Sequence, residues 1–409
     1  MVKPSLPAEK IMLQTEMLST GDEVLHGQIV DTNAAWLADL FFNQGLPLTR
    51  RNTVGDSLES LVSALTERSQ HADILIVNGG LGPTSDDLSA EAAARAAGVE
   101  LVLHEGWLAQ MERFFTARGR VMAASNRKQA LLPAGSEMID NPVGTACGFA
   151  IKLNRCLIFF TPGVPSEFKR MVEHEILPRL RERFTLPAPP LCLRLTTFGR
   201  SESDLAAELD PLTLPPDVAM GYRSSTPIIE LKLTGPASRR AEMEALWPHV
   251  REVAGDSLIF EGTETLPAQI ARCLREQQLS ITLSEQFTAG LLALQLSGAD
   301  APLLASEVLP AQVETLAQTA HWNVDRRSRH LADLALSIAS FEDDEINIAL
   351  TTPQGTQAVR LRFNASRYAL RIRQEICAMM ALTLVRRWLN GQDVTASQGW
   401  VQVVETHTV

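Results

Sequence analysis

The chain lacks the patterns that mark membrane-spanning, exported and zinc-dependent proteins. No apolar run reaches the roughly 20 residues a membrane helix needs, and no signal peptide is visible. The eight histidines include no H-x-x-x-H or H-E-x-x-H spacing. Five cysteines (Cys147, Cys156, Cys192, Cys273 and Cys377) are scattered with no C-x-x-C. They neither pair obviously nor build a zinc site, which predicts reduced thiols and a cytoplasmic home. A basic excess is missing too. With a net charge of −11 there is no surplus of Lys and Arg to displace counterions, which argues against nucleic acid as a partner. What is present is 409 residues with 45% hydrophobic content, enough to bury two or three cores. Residues 1–10 carry Pro4 and Pro7 and read as a loose extension, with Met12 as an alternative start.

The most informative stretch is Asn78-Gly79-Gly80-Leu81-Gly82-Pro83-Thr84-Ser85-Asp86-Asp87. It follows the apolar run Ile74 to Val77, which reads as a buried strand, and precedes an alanine-rich helix from Ala90 to Ala97. A strand that ends in glycines and opens a helix brings backbone N–H groups up to an anionic group. Side chains would block that approach, and the turn calls for φ > 0. Two aspartates behind the loop would repel a phosphate unless a cation lies between them, so the pattern points to Mg²⁺ or a similar ion. A plain strand–turn–helix corner with solvated aspartates is the alternative. Three further clusters stand against that alternative. They are Leu18 to Gly27 with Asp31-Thr32-Asn33, Asn141 to Gly148, and Thr161 to Phe168. Strand-end loops rich in Gly, Pro and hydroxyls fit a parallel sheet with its site at the carboxyl edge.

These four motifs resemble the molybdopterin-binding-like (MoCF) domain of the competence/damage-inducible protein CinA family. The family patterns are STGDE-LL-G-I-DTN, GGLGPT-DD-T, NP-GTA-G and PG-P-E. Ser89 replaces the usual threonine in the second, and Cys147 stands where proline is common in the third. The resemblance implies a three-layer α/β domain over 11–185. It also implies a metal-dependent pyrophosphatase that splits ADP-ribose into AMP and ribose 5-phosphate. Mg, Co or Mn would be the ion, K⁺ a further candidate, and a homodimer the assembly.

On that reading Asp56, Asp87 and Glu167 are the expected catalytic residues, with Asp22, Glu23, Asp86 and Asp87 around the metal. Asp87 is placed at a helix start facing the phosphates. Asp56 reads equally as an acidic site residue or as the N-cap of a helix from Leu58 to Glu67. Ser19, Thr20 and Gly21 offer hydroxyls and N–H groups to a second phosphate or sugar. Gly79, Gly80, Gly82 and Thr84 form the phosphate cradle, and Asn141, Gly144 and Thr145 border the base or ribose. The expected mechanism is metal-assisted hydrolysis of a diphosphate. Two other classes stay open: a pterin- or nucleotide-binding or adenylating domain, and a non-catalytic scaffold.

Leu186 to Pro190 carries three prolines and reads as a linker. A small α+β domain in β-α-β-β-α-β order is expected over 190–261, with Tyr222 and Arg223 its most polar-aromatic spot. An α/β domain follows over 262–392, then a tail over 393–409. The 262–392 part resembles the family's nicotinamide-mononucleotide amidohydrolase domain, whose strand-end pattern is T-AESCTGG. This chain reads Ser284-Glu285-Gln286-Phe287-Thr288-Ala289-Gly290. Glu285, Thr288 and Gly290 match, but Gln286 stands at the nucleophile position. The activating VTYSN-K stretch aligns with Val308 to Glu314, and neither Tyr, Asn nor Lys remains there. An amide is no nucleophile, so this domain is expected to be catalytically inactive.

Overall fold

The computed structural model describes residues 13–409. The expected N-terminal extension, Met12, and the expected first-strand start at Ile11 lie outside the described residues. Within the strand Ile74–Asn78 every residue is buried. Successive side chains point to opposite faces. Ile74 and Ile76 pack with Met17 and Phe159 against Leu37, Phe41 and Phe168. Leu75 and Val77 pack with Leu18 and Phe160 against Leu61, Leu65 and Trp107. A sheet covered on both faces needs apolar residues at every position, which is why this strand shows no polar alternation.

The sheet runs in the order Leu48–Val54, Thr15–Thr20, Ile74–Asn78, Cys156–Thr161, Gly148–Leu153, Glu137–Ile139. The first four strands are parallel, and the last two add antiparallel. Thr15–Thr20 has the second strand on one side and the third on the other. The crossovers therefore diverge beside its carboxyl end, where α/β sheets open a crevice. The helices Thr32–Asn43, Leu58–His71, Ser89–Ala97 and Glu105–Thr116 belong to this layer arrangement. The helical segment that follows Cys156–Thr161 is interrupted. It runs Pro165–Met171, a π-helical turn Val172–Ile176, and Leu177–Arg183. Pro178 has no N–H to give and its ring crowds the preceding turn, so the ladder widens there.

The chain divides into two compact units, one ending at Pro190 and one spanning Leu191–Val409. The second unit contains both segments expected as separate domains. Its four-stranded antiparallel sheet runs Ala219–Ser225, Ile228–Gly235, Leu191–Phe198, Leu258–Glu261. Tyr222 lies on its edge strand and donates to Asp210, while Arg223 pairs with Glu230. A six-stranded sheet runs Leu303–Val308, Ile281–Glu285, Leu334–Glu342, Glu345–Thr352, Gly355–Arg362, Gln402–Thr408. Its central strands bury the unit's largest core against Leu266–Glu276 and Leu370–Leu389. The expected tail over 393–409 is therefore a correction. Gln402–Thr408 is the last strand of this sheet, and Gln398 donates to the carbonyls of Phe198 and Asp256. Its polar composition is that of an edge strand with one solvated face. Among the described residues no helix is long and apolar enough to cross a membrane.

Candidate ligand cavity and the second strand-end loop

A cavity of about 510 Å³ opens at the carboxyl ends of Thr15–Thr20 and Ile74–Asn78. Its floor is a polar network. Asn33 Nδ2 donates to Asn78 Oδ1 at 3.0 Å and to the Gly163 carbonyl at 2.8 Å. Asn78 Nδ2 in turn donates to the Pro162 carbonyl at 2.7 Å. The strand ends after Thr20, Asn78 and Thr161 are thus tied together from beneath. Asn33 lines the cavity, and its Oδ1 is shut off from solvent with no hydrogen-bond partner. Ser19 donates to Asp31 at 2.6 Å. The other Asp31 oxygen caps the Thr32–Asn43 helix through Ala34 N.

The glycine loop is shaped as the sequence predicts. Gly79 and Gly80 have φ of 110° and 68°, the region where glycine is strain-free. A Cβ on Gly79 would lie 2.6 Å from Thr20 Oγ1, and one on Gly82 would lie 2.4 Å from Asp87 Oδ2. Ser89 N and Oγ donate to the Gly80 and Gly79 carbonyls. The serine thus supplies the hydroxyl of the threonine it replaces. Two cradle amides are already engaged. Gly79 N donates to the Thr161 carbonyl and Thr84 N to Asp87 Oδ2. Asp87 closes the loop on Thr84, whose hydroxyl also donates to it, and it precedes the Ser89–Ala97 helix instead of opening it.

Of the residues expected from sequence, Ser19, Thr20, Gly21, Glu23, Asp56, Gly79, Gly80, Gly82, Asp86, Asp87, Thr145 and Glu167 line the cavity. Asp22, Thr84, Asn141 and Gly144 do not. Asn141 shapes the loop beside it. Its Nδ2 donates to Glu167 at 2.7 Å, and its Oδ1 accepts from Val143 N and Gly144 N. Gly144 leaves room for Glu167, whose carboxylate a Cβ there would strike. Asp22 and Asp56 are locked in a reciprocal pair, each accepting the other's backbone N–H at 3.1 Å. Burial, first of all, pushes the Asp56 carboxyl above its ordinary value. Ser57, not Asp56, caps the Leu58–His71 helix, so the cap reading of Asp56 is corrected.

Six carboxylates (Glu23, Asp31, Asp56, Asp86, Asp87 and Glu167) line this cavity, and no Lys, Arg or aromatic ring does. Among the described residues no three His, Cys, Asp or Glu converge to hold a metal by themselves. The side-by-side Asp86 and Asp87 fit a hard ion only if ligand phosphate oxygens and water complete its shell, which is how Mg²⁺ is usually held.

The strand Ile281–Glu285 ends in a comparable loop built differently. Glu285 is fully buried and accepts from Thr288 Oγ1, Leu292 N and Ala293 N at 2.7–3.0 Å. Its carboxylate therefore occupies the start of the Leu291–Ser297 helix. Gly290 takes φ of 91°. Gln286 Nε2 donates to Glu314 at 2.7 Å and its Oε1 accepts from Gln312 N at 2.9 Å. The Phe287 ring stacks on Phe341 with centroids 5.0 Å apart. The stretch aligned with the activating motif thus does meet residue 286, but through Gln312 and Glu314.

Residues 16–182 match the model of the probable molybdopterin binding domain. Over 398 residues the chain is 73% identical to a CinA-like protein of Escherichia coli O9:H4 (strain HS), covering 97% of this chain and all of that protein. The chain belongs to the CinA-like protein family. A CinA-like relative of E. coli K12 with the same identity and coverage bears the name NMN amidohydrolase-like protein YfaY. The solved CinA protein of Thermoplasma acidophilum is 28% identical, covers 42% of this chain and 96% of its own, and has a TM-score of 0.38. The amidohydrolase name of the K12 relative overturns the expected enzyme class, an ADP-ribose pyrophosphatase with no amidohydrolase chemistry. That assignment is withdrawn for this CinA-like chain.

Sequence reasoning gave no role to Asn33, Asn78, Asp31, Gln129 and Lys128. Asn78 carried a signal, since an amide that ends a wholly apolar strand has to satisfy its polar atoms across strand ends. Lys128 and Gln129 carried none, because their contact with the glycine loop spans more than 40 positions.

Proposed function

We propose that the N-terminal unit of this CinA-like protein binds a phosphorylated nucleotide or pterin, with the phosphate at the glycine loop and a divalent ion between it and Asp86 and Asp87. The observation that carries this reading is the conjunction of a phosphate-type loop with a lining of six carboxylates and no basic side chain. A phosphate entering such a cavity needs a cation, and each carboxylate of the lining raises that need. Val24, Ile29, Val30 and Val164 supply aliphatic walls for the ring system. Isothermal titration of the full chain with ADP and with a phosphorylated pterin, with and without Mg²⁺, tests the reading. Binding that requires the ion supports it, and no binding of either compound under both conditions overturns it.

A second reading concerns the unit from Leu191. The name of the K12 relative and the retained Glu285, Thr288 and Gly290 loop favour an amidohydrolase-type reaction on a nicotinamide nucleotide. Gln286 offers no nucleophilic oxygen or sulfur, so turnover there requires another hydroxyl. Ammonia release from nicotinamide mononucleotide by the purified chain, against a heat-treated control, decides this reading: release above the control supports it, and none overturns it.

A further inference from the structure

The cavity has no cation of its own, yet one lies just behind its phosphate loop. Lys128, in the 3₁₀ turn Ala124–Ala130, points its ammonium at the Thr84 carbonyl, 2.5 Å away. The adjacent Gln129 is buried, lines the cavity and donates to the Leu81 carbonyl. Two consecutive side chains thus clamp this turn along the glycine loop from Leu81 to Thr84. Among the described residues no other Lys or Arg bonds to the 79–87 loop. Asp86, on the same loop, is exposed.

Resting on the phosphorylated-ligand reading above, we propose that Lys128 is the residue that sets this site's preference for ligands carrying more phosphate charge. An ammonium has three donors, and the Thr84 carbonyl uses one. The four-carbon stem is flexible, and Lys128 is only half-buried. From its present place Lys128 offsets part of the Asp86 charge that a phosphate meets on entry. Lys128 does not line the cavity in its present place, and rotation about its stem is what would turn its remaining hydrogens toward a terminal phosphate oxygen. Either way its contribution grows with each negative charge on the ligand and vanishes for an uncharged one. A lysine that only braced the loop would affect all ligands alike.

The test is isothermal titration of the full chain with adenosine, AMP and ADP at fixed Mg²⁺, comparing wild type with Lys128→Met and Lys128→Arg. Lys128→Met is expected to weaken ADP about tenfold, AMP less, and adenosine not measurably. The ADP loss should shrink as salt is raised, and Lys128→Arg should keep most of the wild-type affinity. Equal melting temperatures for wild type and Lys128→Met would show that the fold survives. If Lys128→Met unfolds, the ADP-to-AMP affinity ratio of Lys128→Gln replaces it. A uniform loss across the three ligands, or undiminished ADP binding, overturns the role of Lys128 while the ligand reading stands. A wild-type chain that binds none of them, nor a phosphorylated pterin, removes both.

Discussion

Two parallel-strand ends of this chain, those of Ile74–Asn78 and Ile281–Glu285, handle the same backbone problem in opposite ways. After Ile74–Asn78 the turn is made by glycines, and the space beyond is an open cavity of about 510 Å³. After Ile281–Glu285 the following helix start is filled by the chain's own Glu285 carboxylate, and the Gln286 amide is bonded at both ends. An anion-seeking helix start that is satisfied internally has no need of a ligand. A shared strand–turn–helix geometry fixes where a site can be, while internal side-chain bonding decides how much of it the chain itself already fills.

The sharpest way to break the comparison is Glu285→Ala. It strands the Thr288 hydroxyl and two helix-start amides in a fully buried place. A loss of about 3 kcal/mol or more is expected in denaturant unfolding. A loss under about 1 kcal/mol would mean that water already serves these donors. Next comes a matched glycine pair. Gly79→Ala places a Cβ 2.6 Å from Thr20 Oγ1 and 2.9 Å from the Thr20 carbonyl oxygen at a φ of 110°, and should cost about 2–3 kcal/mol together with ligand binding. Gly290→Ala meets nothing nearer than Val308 at 3.4 Å and should cost only the left-handed backbone penalty, about 1 kcal/mol. Equal losses at the two positions would show that steric closeness does not distinguish the loops.

The smallest effect is a pH dependence. Because burial raises the Asp56 carboxyl, the folded state holds that proton more tightly than the unfolded chain. The stability this gives is full below the ordinary aspartate value and is lost as pH rises through the raised one. Asp56→Asn should remove that loss, so unfolding curves of the two proteins should converge in acid and separate in favour of the variant above it. A constant difference across the range would assign the Asp56 effect to hydrogen bonding alone.

Legibility in the sequence followed the range of the interactions. Ile74 to Val77 and the glycines behind them announce strand and turn, because burial and φ preference act within a few residues. The β-α-β-β-α-β run expected over 190–261 was legible for the same reason. What was not legible depends on contacts far along the chain. Asn33 meets Gly163 across 130 positions, and Gln398 meets Phe198 across 200. Asp56 was ambiguous because its partner, Asp22, lies 34 positions away. Gln402–Thr408 reads as a tail until the edge of Gly355–Arg362 is there to pair with it. Asp87 is the instructive middle case. Its bond to Thr84, only three positions back, was within reach of local reasoning, but the acidic pair drew attention to a metal instead.

The most direct measurement is hydrogen–deuterium exchange of the full chain with and without ADP and Mg²⁺, read separately over residues 79–87 and 285–314. A ligand site at the first strand end and an internally satisfied second one require slowed exchange in 79–87, by about the ratio of ADP concentration to its dissociation constant, with 285–314 unchanged. Protection confined to 285–314, or none in 79–87 at concentrations where ADP binds, would contradict it.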